Sequence, residues 1–208
     1  MGKDEGRDLG VVPFVLASAS PRRKMLLDMI GLRHRVMPPT IEEGDFDCDE
    51  PSERVLRLAK VKATIVAGEI KSGIILGADT IVVKDGRILE KPCSRKDAVR
   101  MLSSLSDEWH EVYTGLHLID AEGLKEVFGC EVTRVKFRSM DRREIDVYLQ
   151  TGEPMDKAGS YGIQGFGAVF IDRVEGCYFN VVGLPLNRLM MLLKELGCFF
   201  DFRELRRM

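Results

Sequence analysis

Cysteine, histidine and tryptophan are scarce in this 208-residue chain, at five, three and one, and each scarcity removes a class of chemistry. Cys48, Cys93, Cys130, Cys177 and Cys198 are odd in number, widely spaced and never in a Cys-x-x-Cys pair. Neither a disulfide framework nor a zinc site is indicated, and reduced thiols in a cytoplasmic protein are expected. His34, His110 and His117 lack the spacing of metal ligands and read as packing residues. An excess of charge of one sign is missing too: 31 Lys and Arg stand against 33 Asp and Glu, a net charge of -2. No global basic field favours a nucleic acid, so any phosphate site must be local. No apolar run approaches transmembrane length. The opening MGKDEGRD is charged, with Gly6 where a myristoylation signal wants Ser or Thr. No membrane partner is expected, and residues 1–10 are expected to be frayed ahead of a single domain over 11–208.

What the chain does contain is an ordinary globular mixture, 45% hydrophobic and 31% charged, with room for one large domain or two small lobes. Apolar runs bounded by glycine alternate with helical patterns, which points to an α/β protein. Val11 to Ala17 reads as a buried strand. Ser20 then stands as an N-cap with Pro21 at the first helical position, and Met25, Leu26, Met29 and Ile30 form an apolar face that Gly31 ends. A short strand is expected near His34 to Met37, then the acidic IEEGDFDCDE, then a helix from Ser52 to Ala67 on the period of Val55, Leu58, Ala59, Lys62 and Val66. GIILGADTIVVKDGRILEKP reads as a buried strand, a polar break at Asp79 and Thr80, and a hairpin turning at Asp85 and Gly86. A helix over 95–105, strands near 111–120 and 126–138 and a helix over 139–151 follow. AGSYGIQGFGAVFIDRVEGCYFNVVG reads as a glycine-rich loop and a hairpin, Leu186 to Leu196 as an amphipathic helix, and CFFDFRELRRM as a docked or frayed tail.

LASASPRRKMLLDMIG places two guanidiniums, Arg22 and Arg23, where the helix dipole disfavours cations. A strand, a tight turn carrying Ser18 and Ser20, and a helix N-terminus aim unpaired N–H groups at one point, and the two arginines make that point anion-seeking. A polyphosphate held by bidentate contacts would explain the placement. The alternative is a pair of solvated charges, costing only about 0.3 to 1 kcal/mol. In GADTIV, Asp79 follows a buried strand, where α/β sheets usually bind ligands and where a carboxylate needs a partner or a metal; the alternative is an Asp bonded to its own turn. Thr80 is placed to cap or to contact a base. Glu42 and Glu43 suit a hard cation shared with substrate phosphates, or are simply solvated. Lys62 falls beside the apolar face of its helix and Lys91 is held extended before Pro92, and both are candidate phosphate contacts. In GEPMDKAGSYGIQG, the spacing is wrong for a dinucleotide fingerprint, whereas Tyr161 and Gln164 among glycines could meet the edge of a nucleobase.

SASPRRKMLL, GADTIVV, ILEKP, MLSSLS, EPMDKAGSYGIQG and NVVGLPL, in order from Phe14 to Leu196, together closely resemble the Maf family of nucleoside triphosphate pyrophosphatases, once named for septum-formation inhibition. The resemblance implies an α/β fold with a central mixed sheet flanked by helices, two lobes with a cleft between them, and a relation to inosine triphosphatase-like enzymes. It implies a homodimer that hydrolyses a nucleotide between the α and β phosphates with magnesium or manganese. Asp79, Lys91 and Arg22 then become the catalytic set, and Glu43 joins Asp79 as a metal ligand. Ser18, Ser20, Arg22, Arg23 and Lys62, with Thr80, Lys91 and Gln164, become substrate contacts. Ala-Asp-Thr with Ile-Gln-Gly matches the branch preferring dTTP and UTP, where Ser-Asp-Gln would suggest 7-methyl-GTP; a broader modified-nucleotide pyrophosphatase and a nucleotide-binding regulator of cell division are the alternatives. Two departures stand out: Asp107 replaces a glycine usual after LS, and Cys177 occupies a position where an acidic or polar residue is common.

Overall fold

The computed structural model describes residues 10–40, 50–123 and 125–208; the expectations for Glu42, Glu43, Cys48 and all but the last residue of the 1–10 segment lie outside them. The first apolar run forms β1 (Phe14–Ala17), shorter than the 11–17 expected, and leads into α1 (Pro21–Met29). Ser20 caps that helix, its hydroxyl accepting from the Arg23 amide, and Gly31 leaves it at φ 75°. β2 (Arg35–Val36), α2 (Pro51–Ala67) and β3 (Ile74–Lys84) follow. β3 turns into β4 (Arg87–Leu89) through Asp85 and Gly86, both with positive φ, the geometry of a tight two-residue hairpin.

α3 (Arg95–Leu105), β5 (Trp109–Asp120), β6 (Glu126–Phe137) and α4 (Arg142–Gln150) keep close to the predicted spans. α4 is secured by a reciprocal capping box between Asp141 and Glu144. Asp107, between α3 and β5, adopts φ 55°, a left-handed conformation that glycine takes without strain and Asp tolerates better than most residues. The glycine that the resemblance leads one to expect here would adopt it freely.

The sheet order is β2-β1-β3-β5-β6 and then β7 (Ile171–Glu175), with β4 on β3. β1 runs parallel to β2 and β3, and every pairing from β3 to β7 is antiparallel. The sheet is thus mixed and helix-flanked, an α/β fold. Only one arm of the expected late hairpin forms. β7 pairs with β6, but Gly176 then turns the chain into a short helix, α5 (Tyr178–Val182). Asn180 is the cause: fully buried, it donates to the Val112 carbonyl and the Thr133 hydroxyl, ties that hold residues 178–182 against the sheet instead of beside β7.

α6 (Leu186–Glu195) closes a core of Leu16, Leu26, Leu76, Leu116, Leu189 and Leu193, while α3 and α4 close a second around Val82, Leu102, Val135, Phe137 and Ile145. The tail docks as a hairpin of β8 (Cys198–Phe200) and β9 (Leu205–Arg207). α2 rests on the sheet where β3 and β5 carry Gly77 and Gly115. A Cβ on Gly115 would lie 2.6 Å from the Val55 carbonyl oxygen, and one on Gly77 would lie 2.8 Å from the Ala63 amide, so only glycine permits this approach. None of the helices in the described residues is long and apolar enough to cross a membrane.

Candidate active site

The site begins with an interrupted edge. β1 accompanies β3 only as far as Gly77 and β4 joins only at Val82, so Ala78 to Ile81 have a strand neighbour on the β5 side alone. The predicted break at Asp79 and Thr80 does not occur, because β5 supports the strand throughout: Asp79 lies opposite Gly115 and Thr80 opposite Thr114. Asp79 is therefore in mid-strand, not at a strand end. On the open edge, side chains replace the missing strand. The Ala78 carbonyl accepts from Arg23 Nη1 at 2.9 Å and from Lys62 Nζ at 3.3 Å.

Arg23, at the third position of α1, is buried, and four of its five guanidinium N–H donors are engaged. Besides Ala78 it donates from Nη1 to Ser18 Oγ (3.1 Å), from Nη2 to Thr80 Oγ1 (3.0 Å) and from Nε to the Gly183 carbonyl (2.9 Å). Ser18 Oγ also accepts from the Ser20 amide. Lys62, one helical face of α2 reaching over Gly77, places Nζ 2.5 Å from Asp79 Oδ1. Burial pulls the pKa of Lys62 below the ordinary lysine value, and the Asp79 carboxylate opposes it. Burial likewise lowers Arg23, again opposed by Asp79. A lone carboxylate thus stabilises two cations that desolvation alone would disfavour.

These groups form the floor of a cleft of about 1010 Å³. Arg22, roughly 100° round the helix from Arg23, points into it with a third of its side chain exposed, 3.8 Å from Asp156. Lys91 enters from the loop after β4, exposed and with no ion pair among the described residues. Gln164 comes from the glycine-rich loop, half-buried, its amide bonded to no described residue. Every substrate or catalytic residue expected from the sequence lines this one cleft; Glu43 lies outside the described residues.

One of the loop's two expected contacts is spent elsewhere. The Tyr161 hydroxyl meets His110 Nε2 at 2.8 Å inside the second core, where burial holds the His110 pKa down to about 3 and the ring neutral. The phenol is therefore not offered to a base edge. Instead Glu153, not singled out from the sequence, organises the loop: its carboxylate accepts from the amides of Phe166 and Gly167 and from the Tyr148 hydroxyl. Arg54, Glu90 and Lys157 also line the cleft, and Arg54 pairs with Glu90 across from α2 to the loop after β4. Arg54, Leu58 and Lys62 repeat at the i, i+4 helical spacing and share the face turned to the cleft; that period was the available signal for Arg54.

Among the described residues no three His, Cys, Asp or Glu side chains gather as a metal cluster. A magnesium ion shared with substrate phosphates needs only one or two carboxylates. Asp79 fits that demand: Oδ1 faces Lys62, and Oδ2 has no hydrogen bond to a described residue.

The family model described as Maf-like protein matches residues 13–196. A relative from Syntrophomonas wolfei, named dTTP/UTP pyrophosphatase, is 48% identical over 182 residues, covering 88% of this chain and 96% of its own. Relatives of the same name from Acetivibrio thermocellus (48% identical, 90% and 96% covered) and Halalkalibacterium halodurans (49%, 89% and 96%) match comparably. With this coverage, and with the family's motif residues assembled around one cleft, the chain belongs to the Maf family.

Proposed function

We propose that this chain is a nucleoside triphosphate pyrophosphatase that hydrolyses dTTP and UTP to the monophosphate and pyrophosphate. The observation that carries the reading is the convergence of Arg22, Lys62, Lys91 and Gln164 with a single floor carboxylate, Asp79, drawn from five separate segments into one cleft. Relatives bearing that activity in their names match nearly the whole chain.

In the reaction, water attacks the α-phosphorus in line with the departing pyrophosphate. Arg22 and Lys91, the cleft cations with most solvent access, hold the β and γ phosphates and offset the charge that builds on the leaving group. Lys62 orients Asp79 through its contact with Oδ1. Asp79 Oδ2 takes the attacking water's proton on one lone pair, the other being the one a cation would use. Gln164 offers a donor and an acceptor to the edge of a pyrimidine. Asp79, with Glu43, would hold magnesium or manganese, and such an ion supplies charge neutralisation on the triphosphate.

The test is pyrophosphate release from dTTP, UTP, dCTP and 7-methyl-GTP with magnesium and with manganese. Turnover of dTTP and UTP above the others is expected. Preference for 7-methyl-GTP would assign the other branch, and nucleotide binding without release would make the protein a regulator. The reading also carries a single two-lobed domain, a homodimer and a cytoplasmic location. Sedimentation of the purified chain checks the dimer.

A further inference from the structure

Arg23 presents an inconsistency if it is treated as a phosphate contact like its neighbour. Four of its five N–H donors go to protein acceptors at 2.9 to 3.1 Å, from the β1–α1 turn, β3 and the turn after α5, and the side chain is buried. Two of those acceptors, the Ala78 carbonyl and the Thr80 hydroxyl, lie immediately before and after Asp79. The Thr80 hydroxyl is committed as well. It lies 3.0 Å from Thr114 Oγ1, which itself donates to the Asn180 carbonyl. A hydroxyl has one proton to give, so Thr114 must accept from Thr80, and Thr80 must accept from Arg23. The chain of bonds then has one direction: Arg23, Thr80, Thr114, Asn180. Thr80 has no proton left for a base.

We propose that Arg23 is a positioning residue, which holds the residue on each side of Asp79, Ala78 by its carbonyl and Thr80 by its hydroxyl, and fixes that carboxylate on the open edge of β3, and that Thr80 acts with it rather than contacting the nucleotide. The inference rests on the assignment of Asp79 as the reactive carboxylate. A strand with a neighbour on one side only is the least constrained part of a sheet, and a misplacement of 1 Å there costs about a hundredfold in rate. Arg23 supplies the constraint that β1 and β4 leave out. Arg22, with a third of its side chain exposed, is the member of the pair free to meet phosphate with its whole guanidinium edge.

The experiment compares Thr80→Val, Thr80→Ser, Arg23→Gln and Arg22→Ala, each checked for folding by thermal melt. Steady-state kinetics with dTTP are combined with calorimetric binding of inorganic pyrophosphate. Thr80→Val is expected to lower kcat about tenfold or more with KM within about threefold, and Thr80→Ser, which keeps the hydroxyl, to restore kcat to within about threefold. Arg23→Gln should lower kcat similarly, add little in the Thr80→Val background and leave pyrophosphate affinity within about threefold, whereas Arg22→Ala weakens it about tenfold. Unchanged kcat in Thr80→Val, failure of Thr80→Ser to restore it, independent multiplication of the two effects, or loss of pyrophosphate affinity in Arg23→Gln would each overturn the assignment. Should Arg23→Gln not fold, the two Thr80 variants still decide. A wild type that binds pyrophosphate but releases none from dTTP would count against the proposed activity instead, and the calorimetric arm would still separate Arg22 from Arg23.

Discussion

Two polar clusters lie along β3 and β5, at the cleft and at the far end where β9 docks, and they balance their charges differently. At the far end the Arg207 guanidinium donates to both Asp120 oxygens, at 2.7 and 2.9 Å, and to Glu122, while Arg206 meets Asp201 and Glu204. The hydrogen bonds that Arg207 donates hold Asp120 below the usual carboxylate pKa, and the same contacts raise Arg207. In the cleft Arg54 is paired with Glu90, and among the described residues Arg22, Arg23, Lys62, Lys91 and Lys157 share the carboxylates of Asp79 and Asp156. In the first cluster Arg206 and Arg207 each hold two carboxylates, whereas among the described residues Arg23 and Lys91 of the second have no ion-pair partner, a surplus that a polyanion would complete. Pairing of the cations, rather than the presence of charge, separates a structural network from a binding site.

The sharpest break of the comparison is at Asp79. Asp79→Asn removes the proton acceptor and should cut kcat by about 10² to 10⁴ with dTTP binding retained, read by single-turnover kinetics beside calorimetry; near-normal turnover would return Asp79 to a purely structural role. Arg22→Ala subtracts from the surplus without opening the fold, so a loss of about 1.5 to 3 kcal/mol in kcat/KM is expected with the melting curve unchanged. Arg207→Ala should do the reverse. It leaves Asp120, only 3% exposed, without its main partner, and a loss of about 1 to 3 kcal/mol in stability is expected with kcat of the folded protein intact. A fall in kcat with no loss of stability would contradict the division.

The smallest expected effect is a pH slope at His110. Its pKa in the fold, about 3 through burial first and then the nearby Lys84 charge, lies below its ordinary value of 6.5. The unfolded chain therefore binds a proton at this residue between those values and the folded chain does not. The associated stability is complete above pH 6.5 and is lost as the pH falls toward 3. His110→Phe should flatten the urea-derived stability across pH 6.5 to 4, while leaving the Tyr161 hydroxyl unpaired at a cost of about 1 kcal/mol or more at pH 7. An unchanged slope would show that His110 titrates normally.

Local chemistry was the part of this fold most legible in the sequence. Ser20 before Pro21, Gly31 after an apolar face and Asp85 with Gly86 each fix a conformation through their own backbone, and the helix and strand ends fall where they require. Long-range effects were hidden. Nothing local to Asp79 reveals that β5 continues opposite it, so a polar pair read as a break in a strand that runs on. Nothing local to Tyr178 to Val182 reveals that Asn180 finds buried partners on β5 and β6. The site shows the same division. Residue types at Arg22, Lys62, Lys91 and Gln164 led to one cleft because their chemistry is unusual for their positions. Arg23 carries the same side chain as Arg22, and only a rotation of one helical residue, decided by packing against Gly183 and Thr80, sends it inward. Glu153 offered no sequence signal, since its value lies in amides that become its neighbours only after folding.

The paired glycines beneath α2 set the gauge of the whole cleft. Where most helices ride on a cushion of side chains that can be trimmed or swollen by mutation, this one is seated peptide against peptide, a contact with nothing compressible in it. The height of Lys62 above Asp79 is thereby indifferent to drift in the surrounding core, and a single added methyl at position 77 or 115 would tilt Lys62 away from Asp79 and Arg54 away from Glu90 at once.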